Sequence, residues 1–311
     1  ATASLAARIV GLDIAGVDLV CEDISQPLDV QRGAIVEVNA GPGLLMHLEP
    51  AVGQPRPVGE AIVEHLMGPD NSGRIPVVGI SGVEHTTAVA MLTGWLLYRA
   101  GYTTGLACNA GMYLQMDKIE TASPGEWESG QRILMNRTTT AAVVESSPRS
   151  ILENGLAYDR CQVGVVTGLP EPVGLEDHHI HSHEQMRTVL RTQIDVVLPT
   201  GCAVLNADDA ACAGLAELCD GSVLLYTVNA DHELRAEHCA QETGRFLVVR
   251  EQQILLLGHQ TETPVMDLRH PVVERLLQQH LPLPALLAAA GAALALEMDP
   301  ALVRAGVETA E

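Results

Sequence analysis

The feature that most constrains this chain is an alternation of short apolar runs with helix-forming segments, which begins at residue 76. Apolar runs bounded by Gly, Pro or polar turns predict buried strands, and the predicted strands are 76–81, 141–145, 162–167, 203–206, 222–227, 245–249 and 253–257. Segments with helical periodicity separate them, and the predicted helices are 86–100, 183–193, 209–218, 231–241, 271–278, 283–296 and 299–306. This alternation predicts an α/β fold with a mostly parallel sheet flanked by helices. The neighbouring runs 245–249 and 253–257 predict a hairpin, so one edge of the sheet should be antiparallel.

The first part of the chain has a different pattern. Residues 1–68 contain the short apolar stretches "IVGLDIAGVDLVCEDI" and "GAIVEVNAGPGLLMH", and the following "MGPDNSGRIP" is rich in Gly, Pro and polar residues. Such a composition is typical of a linker, which predicts a first domain at 1–68, a linker at 69–75 and a second domain at 76–311. The first part is too small and too strand-rich to look complete, so we interpret it as the C-terminal part of a larger domain.

Composition limits the partners and the compartment. The formal net charge is −21, whereas nucleic acids and anionic membranes are bound by basic surfaces, so neither is expected as a partner. The seven cysteines are scattered without a CxxC pair, which is typical of reduced thiols in the cytoplasm. The most apolar stretch, 281–296, is too short to span a bilayer and contains prolines, so we expect it to form a packed helix.

The stretch "VVGISGVEHTTAVAMLTGWLL", residues 77–97, has the outline of a phosphate-binding loop, because an apolar strand, a turn with Gly82 and a helix follow one another. The usual form is G-x-x-x-x-G-K-[ST]. Here no Lys and no second Gly precede Thr86 and Thr87, and Glu84 and His85 occupy the turn. The lysine supplies positive charge to the phosphates, and the glycine lets backbone N–H groups approach them.

Electrostatics then predicts the behaviour of this turn. At an effective dielectric of ~20, one like-charge contact between Glu84 and a phosphate at about 4 Å is worth about 4 kcal/mol, or roughly a thousandfold in affinity. We therefore predict that the degenerate loop, which comprises Gly82, Glu84, His85, Thr86 and Thr87, does not bind ATP productively. The strand, turn and helix would then be kept as a scaffold.

A second candidate site lies in "IVEVNAGPG". Glu37 and Asn39 alternate along a predicted strand, so their side chains share a face. A carboxylate and an amide oxygen on one face suit Mg²⁺, and Asp18 in "GVDLV" could supply a third oxygen from a neighbouring strand. By spacing alone, a solvated strand face beside a Gly-Pro turn explains the same residues.

The order of several motifs resembles a known family. Asp18, then Glu37-Val38-Asn39 and Gly41-Pro42-Gly43, resemble the metal-binding end of ATP-grasp ligases. The stretches "AARIVGLDIAGVDLV", "VEVNAGPGLLMHLEP", "PVGEAIVEHL", "ILENGLAYDRCQVGVVTGLPE" and "VVLPTGCAVLNADD" resemble cyanophycin synthetases in the same order. The resemblance extends from residue 6 to about residue 307.

The resemblance implies a fold and a chemistry. Cyanophycin synthetases join an ATP-grasp domain to a Mur-ligase-like domain, and they build a peptide polymer from aspartate and arginine through acyl phosphates. It implies that Asp18, Glu37 and Asn39 hold magnesium ions beneath the phosphates of ATP. ATP and Mg²⁺ are therefore the expected cofactors, and no catalytic side chain is assigned within this chain.

The sequence departs from the family pattern in three places. The Mur-type loop reads G-T-N-G-K-T-T, and here Ser81-Gly82-Val83-Glu84-His85-Thr86-Thr87 covers it without the lysine. The sequence ends at Glu311, where another Mur domain normally follows, and it begins inside the ATP-grasp domain. The first two departures favour the shorter type of cyanophycin synthetase, which polymerises β-aspartyl-arginine dipeptides in its ATP-grasp site. We expect that activity to need the upstream ATP-grasp lobes.

Other family positions allow two interpretations each. Glu145 matches a Mur-type carboxylate that helps to hold magnesium, but without the loop lysine a plain strand-end acid is favoured. Asn206, Asp208 and Asp209 match the segment near the nucleotide base, but after a strand they favour a turn and a helix N-cap. In "EDHHIHSHE", residues 176–184, alternate histidines suggest zinc only if the segment is extended, and a structural or solvated loop is favoured. The three histidines concerned are His179, His181 and His183.

Two other functions fit the same sequence. The chain can be a non-catalytic interaction module, whose Mur-like part serves as an oligomerisation platform. It can also belong to a two-step synthetase that uses free aspartate and arginine. The family resemblance further implies a homo-oligomer, with the β-aspartyl-arginine dipeptide and the cyanophycin chain as partners.

Overall fold

A computed structural model of the chain describes residues 2–68, 72–83, 85–120, 125–279 and 281–310. The chain divides into two compact units, Ala1–Arg74 and Ile75–Glu311. Each unit has its own secondary structure.

The first unit is a two-stranded hairpin with short helices. Its elements are α1 (Thr2–Val10), β1 (Gly16–Val20), a 3₁₀ turn (Asp29–Gln31), β2 (Ala34–Asn39), α2 (Leu45–Leu48) and α3 (Val58–Met67). β1 and β2 pair antiparallel, with a bulge between Asp18 and Leu19. None of the described residues of this unit is fully buried, and apolar side chains such as Ile9, which is 76% exposed, remain open to solvent. A hollow of about 740 Å³ lies among α1, β1, α2 and α3.

The second unit is built around one large sheet. Its strands are β3 (Val77–Ser81), β4 (Thr104–Cys108), β5 (Gly111–Leu114), β6 (Asp117–Glu120), β7 (Ala141–Glu145), β8 (Cys161–Val166), β9 (Val197–Asn206), β10 (Ser222–Thr227), β11 (Arg245–Arg250), β12 (Gln253–Gly258) and β13 (Thr261–Asp267). Its helices are α4 (Thr86–Arg99), α5 (Glu126–Met135), α6 (Pro148–Asn154), α7 (His183–Asp195), α8 (Ala210–Ala213), α9 (Leu234–Ala240), α10 (Pro271–Gln279), α11 (Leu283–Ala295) and α12 (Pro300–Glu308), with 3₁₀ turns at Glu176–His178 and Gly214–Leu218.

The strand order of the sheet is β13-β12-β11-β10-β9-β8-β3-β7-β4-β5-β6. Neighbours from β11 to β4 are parallel, and the pairs at both edges are antiparallel. Successive side chains of the central strands enter opposite faces. On β10, for example, Leu224 and Tyr226 join the core beneath α4 and α11, whereas Leu225 joins the core beneath α7. Both faces of the sheet are therefore covered, as expected of parallel strands that are apolar throughout.

Helix α11 shows how closely the helices approach the sheet. Its described residues from Ala285 to Ala295 are all buried, and a Cβ on Gly291 would lie 3.0 Å from Val204 Cγ1. Small side chains let this helix pack directly on β9 and β10.

Within the described part of the chain, no helix has both the length and the apolar character needed to cross a membrane.

The predicted strands of the second unit and six of its seven predicted helices are present, and the predicted hairpin at 245–257 is confirmed. The predicted helix 209–218 is instead the four-residue helix α8 followed by a 3₁₀ turn. The sequence did not predict the strands β4, β5, β6 and β13, the first half of β9, or the helices α1, α2, α3, α5 and α6. The first half of β9 is hidden by Pro199 and Gly201, which are turn-forming residues. The β5–β6 turn uses Gln115 and Met116 at positive φ, without the Asn-Gly or Asp-Gly signal of such turns.

Candidate functional site

The degenerate loop lies at the carboxyl edge of the sheet, where parallel α/β folds bind ligands. β3 is buried at every position, and it lies between β8 and β7, with which it is parallel. After β3, the chain first forms β4 to β7 on one side of β3 and then forms β8 to β13 on the other side. The order of the strands therefore reverses beside β3. Such a reversal creates the crevice in which open α/β sheets hold their ligands.

Close packing against the end of β8 fixes the first half of the loop. Gly82 has φ of 136°, a conformation that favours glycine, and a Cβ there would lie 2.4 Å from Thr167 Oγ1. The backbone N–H of Val83 donates to the same hydroxyl over 3.1 Å. Glu84, which was predicted to repel phosphate, lies outside the described residues. His85 adopts the left-handed conformation immediately before α4.

The carboxylate of Glu145 is the polar centre beneath this loop. It lies at the end of β7 opposite Ile80, and it is only 7% exposed. Thr86 Oγ1 donates to its Oε1 over 2.7 Å, and Thr87 Oγ1 lies 2.9 Å and 3.0 Å from the two oxygens. The backbone N–H of Asn109 donates to Oε2 over 2.8 Å. Both carboxylate oxygens are therefore occupied by donors of the protein itself.

This arrangement changes what the loop can bind. A phosphate-binding loop presents its helix-start hydroxyl to a metal and a lysine to the phosphates, whereas here the two hydroxyls are directed to a carboxylate. The single lysine of the sequence, Lys118, lies on the edge strand β6, with its ammonium over the ring of Tyr113. The absence of the lysine is visible in the sequence. The hydrogen bonds from Thr86 and Thr87 to Glu145 join residues almost sixty positions apart, so no local sequence pattern predicted them.

The segment after β9 is a turn and a helix cap, as predicted. Asp209 caps α8, because its Oδ1 accepts from the N–H groups of Ala211 and Cys212. Its Oδ2 accepts from Leu169 N–H over 2.7 Å. Asn206 Oδ1 accepts from Asp208 N–H in a local turn. These side chains hold the ends of β8 and β9 together.

The histidine-rich segment 176–184 is a folded loop. His178 Nε2 lies 3.3 Å from Glu153 Oε1, and His183 Nε2 lies 3.0 Å from Glu171 Oε2. His179 has positive φ, and Ser182 caps α7 through Gln185 N–H. Over the described ranges, no three His, Cys, Asp or Glu side chains come together as a metal site would require.

Burial makes three cysteines of the second unit, Cys108, Cys161 and Cys212, poor nucleophiles. Desolvation raises the pKa of Cys108 to about 11 and that of Cys161 to about 12. It also raises the pKa of Cys212. Because the thiolate is the reactive form, these thiols are packing groups.

In the first unit, the hairpin brings the predicted magnesium residues onto two paired strands. Asp18 is directly opposite Glu37 in the register, and Gly16 is opposite Asn39. Residues opposite one another in a sheet share a face, so the side chains of Asp18, Glu37 and Asn39 lie on one face. Both carboxylates are exposed, and Asn39 is half-buried.

The chemistry of this set fits a hard divalent cation. Two carboxylates and an amide oxygen are ligands that Mg²⁺ accepts. Like charges directly opposite one another destabilise a strand pair, and no cationic partner of Asp18 or Glu37 occurs among the residues that the structure describes. A bound cation would relieve that repulsion.

The fold defines the class of the second unit. It is a Mur-ligase-like α/β domain, as predicted. A solved UDP-N-acetylmuramoyl-L-alanyl-D-glutamate–2,6-diaminopimelate ligase superposes with a TM-score of 0.55 and 14% identity, over 81% of this chain and 49% of that one. No protein-family model matches the chain.

Sequence comparison then confirms the particular resemblance, since the chain is a relative of the cyanophycin synthetases. It is 37% identical over 238 residues to the cyanophycin synthetase of Crocosphaera subtropica, which covers 76% of this chain and 27% of the relative. It is 36% identical over 233 residues to that of a Synechocystis species, covering 75% and 26%. A ligase from Geobacter sulfurreducens, named UDP-N-acetylmuramoyl-L-alanyl-D-glutamate–2,6-diaminopimelate ligase, is 27% identical over 177 residues, covering 53% and 34%. The chain spans about a quarter of the length of the cyanophycin synthetases that it matches.

Proposed function

We propose that this chain is part of an ATP-dependent amide ligase that makes cyanophycin. The proposal is supported by the sequence identity with cyanophycin synthetases and by the Mur-ligase-like fold of the second unit. The acidic net charge of −21 is compatible with a product that carries arginine side chains.

The proposed substrate is the ready-made β-aspartyl-arginine dipeptide, and the Mur-like unit has a structural role. The observation that carries this proposal is the set of hydrogen bonds from Thr86 and Thr87 to Glu145. These bonds occupy the hydroxyls and the carboxylate that a working phosphate site needs, in a loop that also lacks its lysine. With the Mur-type site inactive, a single ligation step remains for the ATP-grasp site.

In that step, ATP would phosphorylate the C-terminal carboxylate of the growing chain, and the amine of an incoming dipeptide would displace the phosphate. Asp18, Glu37 and Asn39 are the residues of this chain that would hold magnesium there. A bound Mg²⁺ supplies positive charge that neutralises the phosphate oxygens. The hairpin's own contribution is to keep two carboxylates and an amide on one face.

The packing of the first unit supports its place in a larger ATP-grasp domain. Its described residues include none that is fully buried, and the hollow among its helices is lined by apolar groups such as Leu12, Ile14 and Ile62. Grouped apolar side chains that remain open to solvent mark a face that other structure covers. We propose that upstream ATP-grasp lobes provide this cover and complete the active site.

The test is ATP consumption by the protein that carries this chain, given either β-aspartyl-arginine or aspartate plus arginine. Turnover with the dipeptide alone supports the proposed function. Turnover only with the free amino acids would indicate the two-step synthetase, and no turnover with either would indicate a non-catalytic oligomerisation or interaction module. A cytoplasmic homo-oligomer is expected in each case.

Two substitutions locate the active site. Glu37→Gln should reduce dipeptide-driven turnover at least about a hundredfold, because the metal loses an anionic ligand. Glu60→Gln, at an exposed acid on α3, is the matched control and should keep full activity. His85→Lys restores the ammonium at the degenerate loop and should leave turnover unchanged. If Glu37→Gln stays active, the metal assignment is wrong.

A further inference from the structure

The hairpin face that carries the proposed magnesium residues has one position without a side chain. Asp18 is paired with Glu37, and Gly16 is paired with Asn39. Because residues two apart along a strand lie on the same face, all four positions share one face. Three of them bear an oxygen ligand, and the fourth is Gly16. The position directly across from the amide ligand is therefore free of any side chain.

The backbone conformation of Gly16 does not require a glycine. Gly16 is the first residue of β1, and its φ lies outside the left-handed region that favours glycine. Other residues adopt a strand backbone with less loss of conformational freedom than glycine. The reason for a glycine at this position therefore lies in the space around it.

Pro42 occupies the space that a side chain at position 16 would need. A Cβ on Gly16 would lie 3.0 Å from Pro42 Cβ, 3.5 Å from Pro42 Cα and 3.7 Å from Asn39 Cβ. Carbon atoms in contact prefer a separation of about 3.5–4.0 Å, so even one methyl group would push against the proline. The turn that follows Asn39 thus folds back onto β1, and its close approach depends on the missing side chain.

This contact holds the chain immediately after the amide ligand. Asn39 is the last residue of β2, so strand pairing fixes the chain before it, and the packing of Pro42 on Gly16 fixes the chain after it. Metal ligands depend on surrounding groups that fix their direction. We propose that Gly16 is a positioning residue, whose missing side chain lets Pro42 close over β1 and keeps the Asn39 amide on the face of the two carboxylates. This role rests on the proposed magnesium site, to which Gly16 supplies no ligand.

The test is a titration of Mn²⁺, which prefers the same oxygen ligands as Mg²⁺, into the protein that carries this chain. Electron paramagnetic resonance measures the free Mn²⁺, so the readout needs no turnover. The binding component that Glu37→Gln removes defines the hairpin site. Gly16→Val should weaken this component about 10- to 100-fold, the range for substitutions beside metal ligands, and valine itself is favoured in strands. Gly59→Ala is the matched control and should bind Mn²⁺ normally, because its new Cβ would have no neighbour within 4 Å.

A double-mutant cycle separates positioning of Asn39 from general damage to the hairpin. If Gly16 acts through Asn39, Gly16→Val should add at most about a twofold loss of Mn²⁺ affinity to that already caused by Asn39→Ala. Full addition of the two losses would overturn this role, and so would normal Mn²⁺ affinity of Gly16→Val. If Glu37→Gln and Asn39→Ala both leave Mn²⁺ affinity unchanged, the magnesium site itself is wrong, and the role of Gly16 is overturned with it. The two failures are thereby distinguished.

Discussion

Replacing Glu145 tests whether the degenerate loop is a structural connection or a reserved metal site. Hydrogen bonds to a charged acceptor contribute about 1.5–3 kcal/mol each, and Thr86, Thr87 and the Asn109 N–H all donate to this carboxylate. Burial of the carboxylate offsets part of that sum, and water can replace the acceptor at half-buried donors. We therefore expect Glu145→Ala to lower the free energy of unfolding by about 2–3 kcal/mol. Glu145→Gln keeps the shape and one acceptor oxygen, so its cost should be about 1 kcal/mol.

The measurement is urea or thermal unfolding followed by tryptophan fluorescence. Trp95 and Trp127, the two tryptophans of the sequence, both lie in the second unit, so the signal reports the unit that holds Glu145. A loss of 2–3 kcal/mol corresponds to a fall of roughly 4–12 °C in the melting temperature of a domain of this size. Glu242→Gln should leave the transition unchanged, because that acid is exposed.

A double-mutant cycle separates the hydrogen bonds from other effects of the substitution. Thr86→Val combined with Glu145→Gln should show a coupling energy of about 0.5–3 kcal/mol, as expected for groups in contact. A carboxylate kept for a metal would instead be released from repulsion when it is neutralised, so the protein would gain stability. Unchanged or increased stability of Glu145→Gln would therefore refute the structural interpretation.

Two further predictions concern buried groups of the second unit. Gly79→Ala should cost at least about 3 kcal/mol of unfolding free energy, because the new Cβ would lie 1.8 Å from Tyr158 Oη and 2.4 Å from Gln193 Nε2. In thermal melts, adding Tyr158→Phe to Gly79→Ala should restore part of this loss. Full stability of the Gly79→Ala protein alone would contradict the packing. Burial lowers the pKa of His238, whose Nε2 lies 3.1 Å from Val223 O, so the unfolded chain, with a histidine pKa of about 6.5, binds the proton more readily. The free energy of unfolding should therefore decrease as the pH falls below about 6.5. Unfolding curves of His238→Gln, measured over the same pH range, should lack the contribution of this histidine to the decrease. An identical pH dependence in the unmodified protein and in His238→Gln would contradict the prediction.

Much of the fold could be predicted because parallel strands have a simple sequence pattern. Strands buried on both faces, such as β7 and β10, appear as short continuous apolar runs, and tertiary context changes little in their interpretation. The missed strands lie mainly at the edges of the sheet. β6 and β13 carry polar residues, so their strand conformation is decided by pairing with a neighbour and not by composition.

The candidate sites also have features that the sequence predicts and features that it does not. The absence of a lysine from the loop is a property of the sequence, and so is the alternation of Glu37 with Asn39. That Asp18 is directly opposite Glu37 depends on the register of two strands, which the bulge after Asp18 shifts. A shift of one residue would have moved the carboxylate to the other face.

The sequence by itself determined that the second unit is an α/β sheet protein and that its phosphate loop lacks the cation it would need. Only the tertiary structure decided what replaced that chemistry. The hydroxyls of Thr86 and Thr87 meet Glu145 because β3 and β7 are adjacent in the sheet, and an apolar cavity opens beside them because three distant segments converge there. Contacts between residues far apart in the chain depend on how the strands are ordered, which no local pattern records.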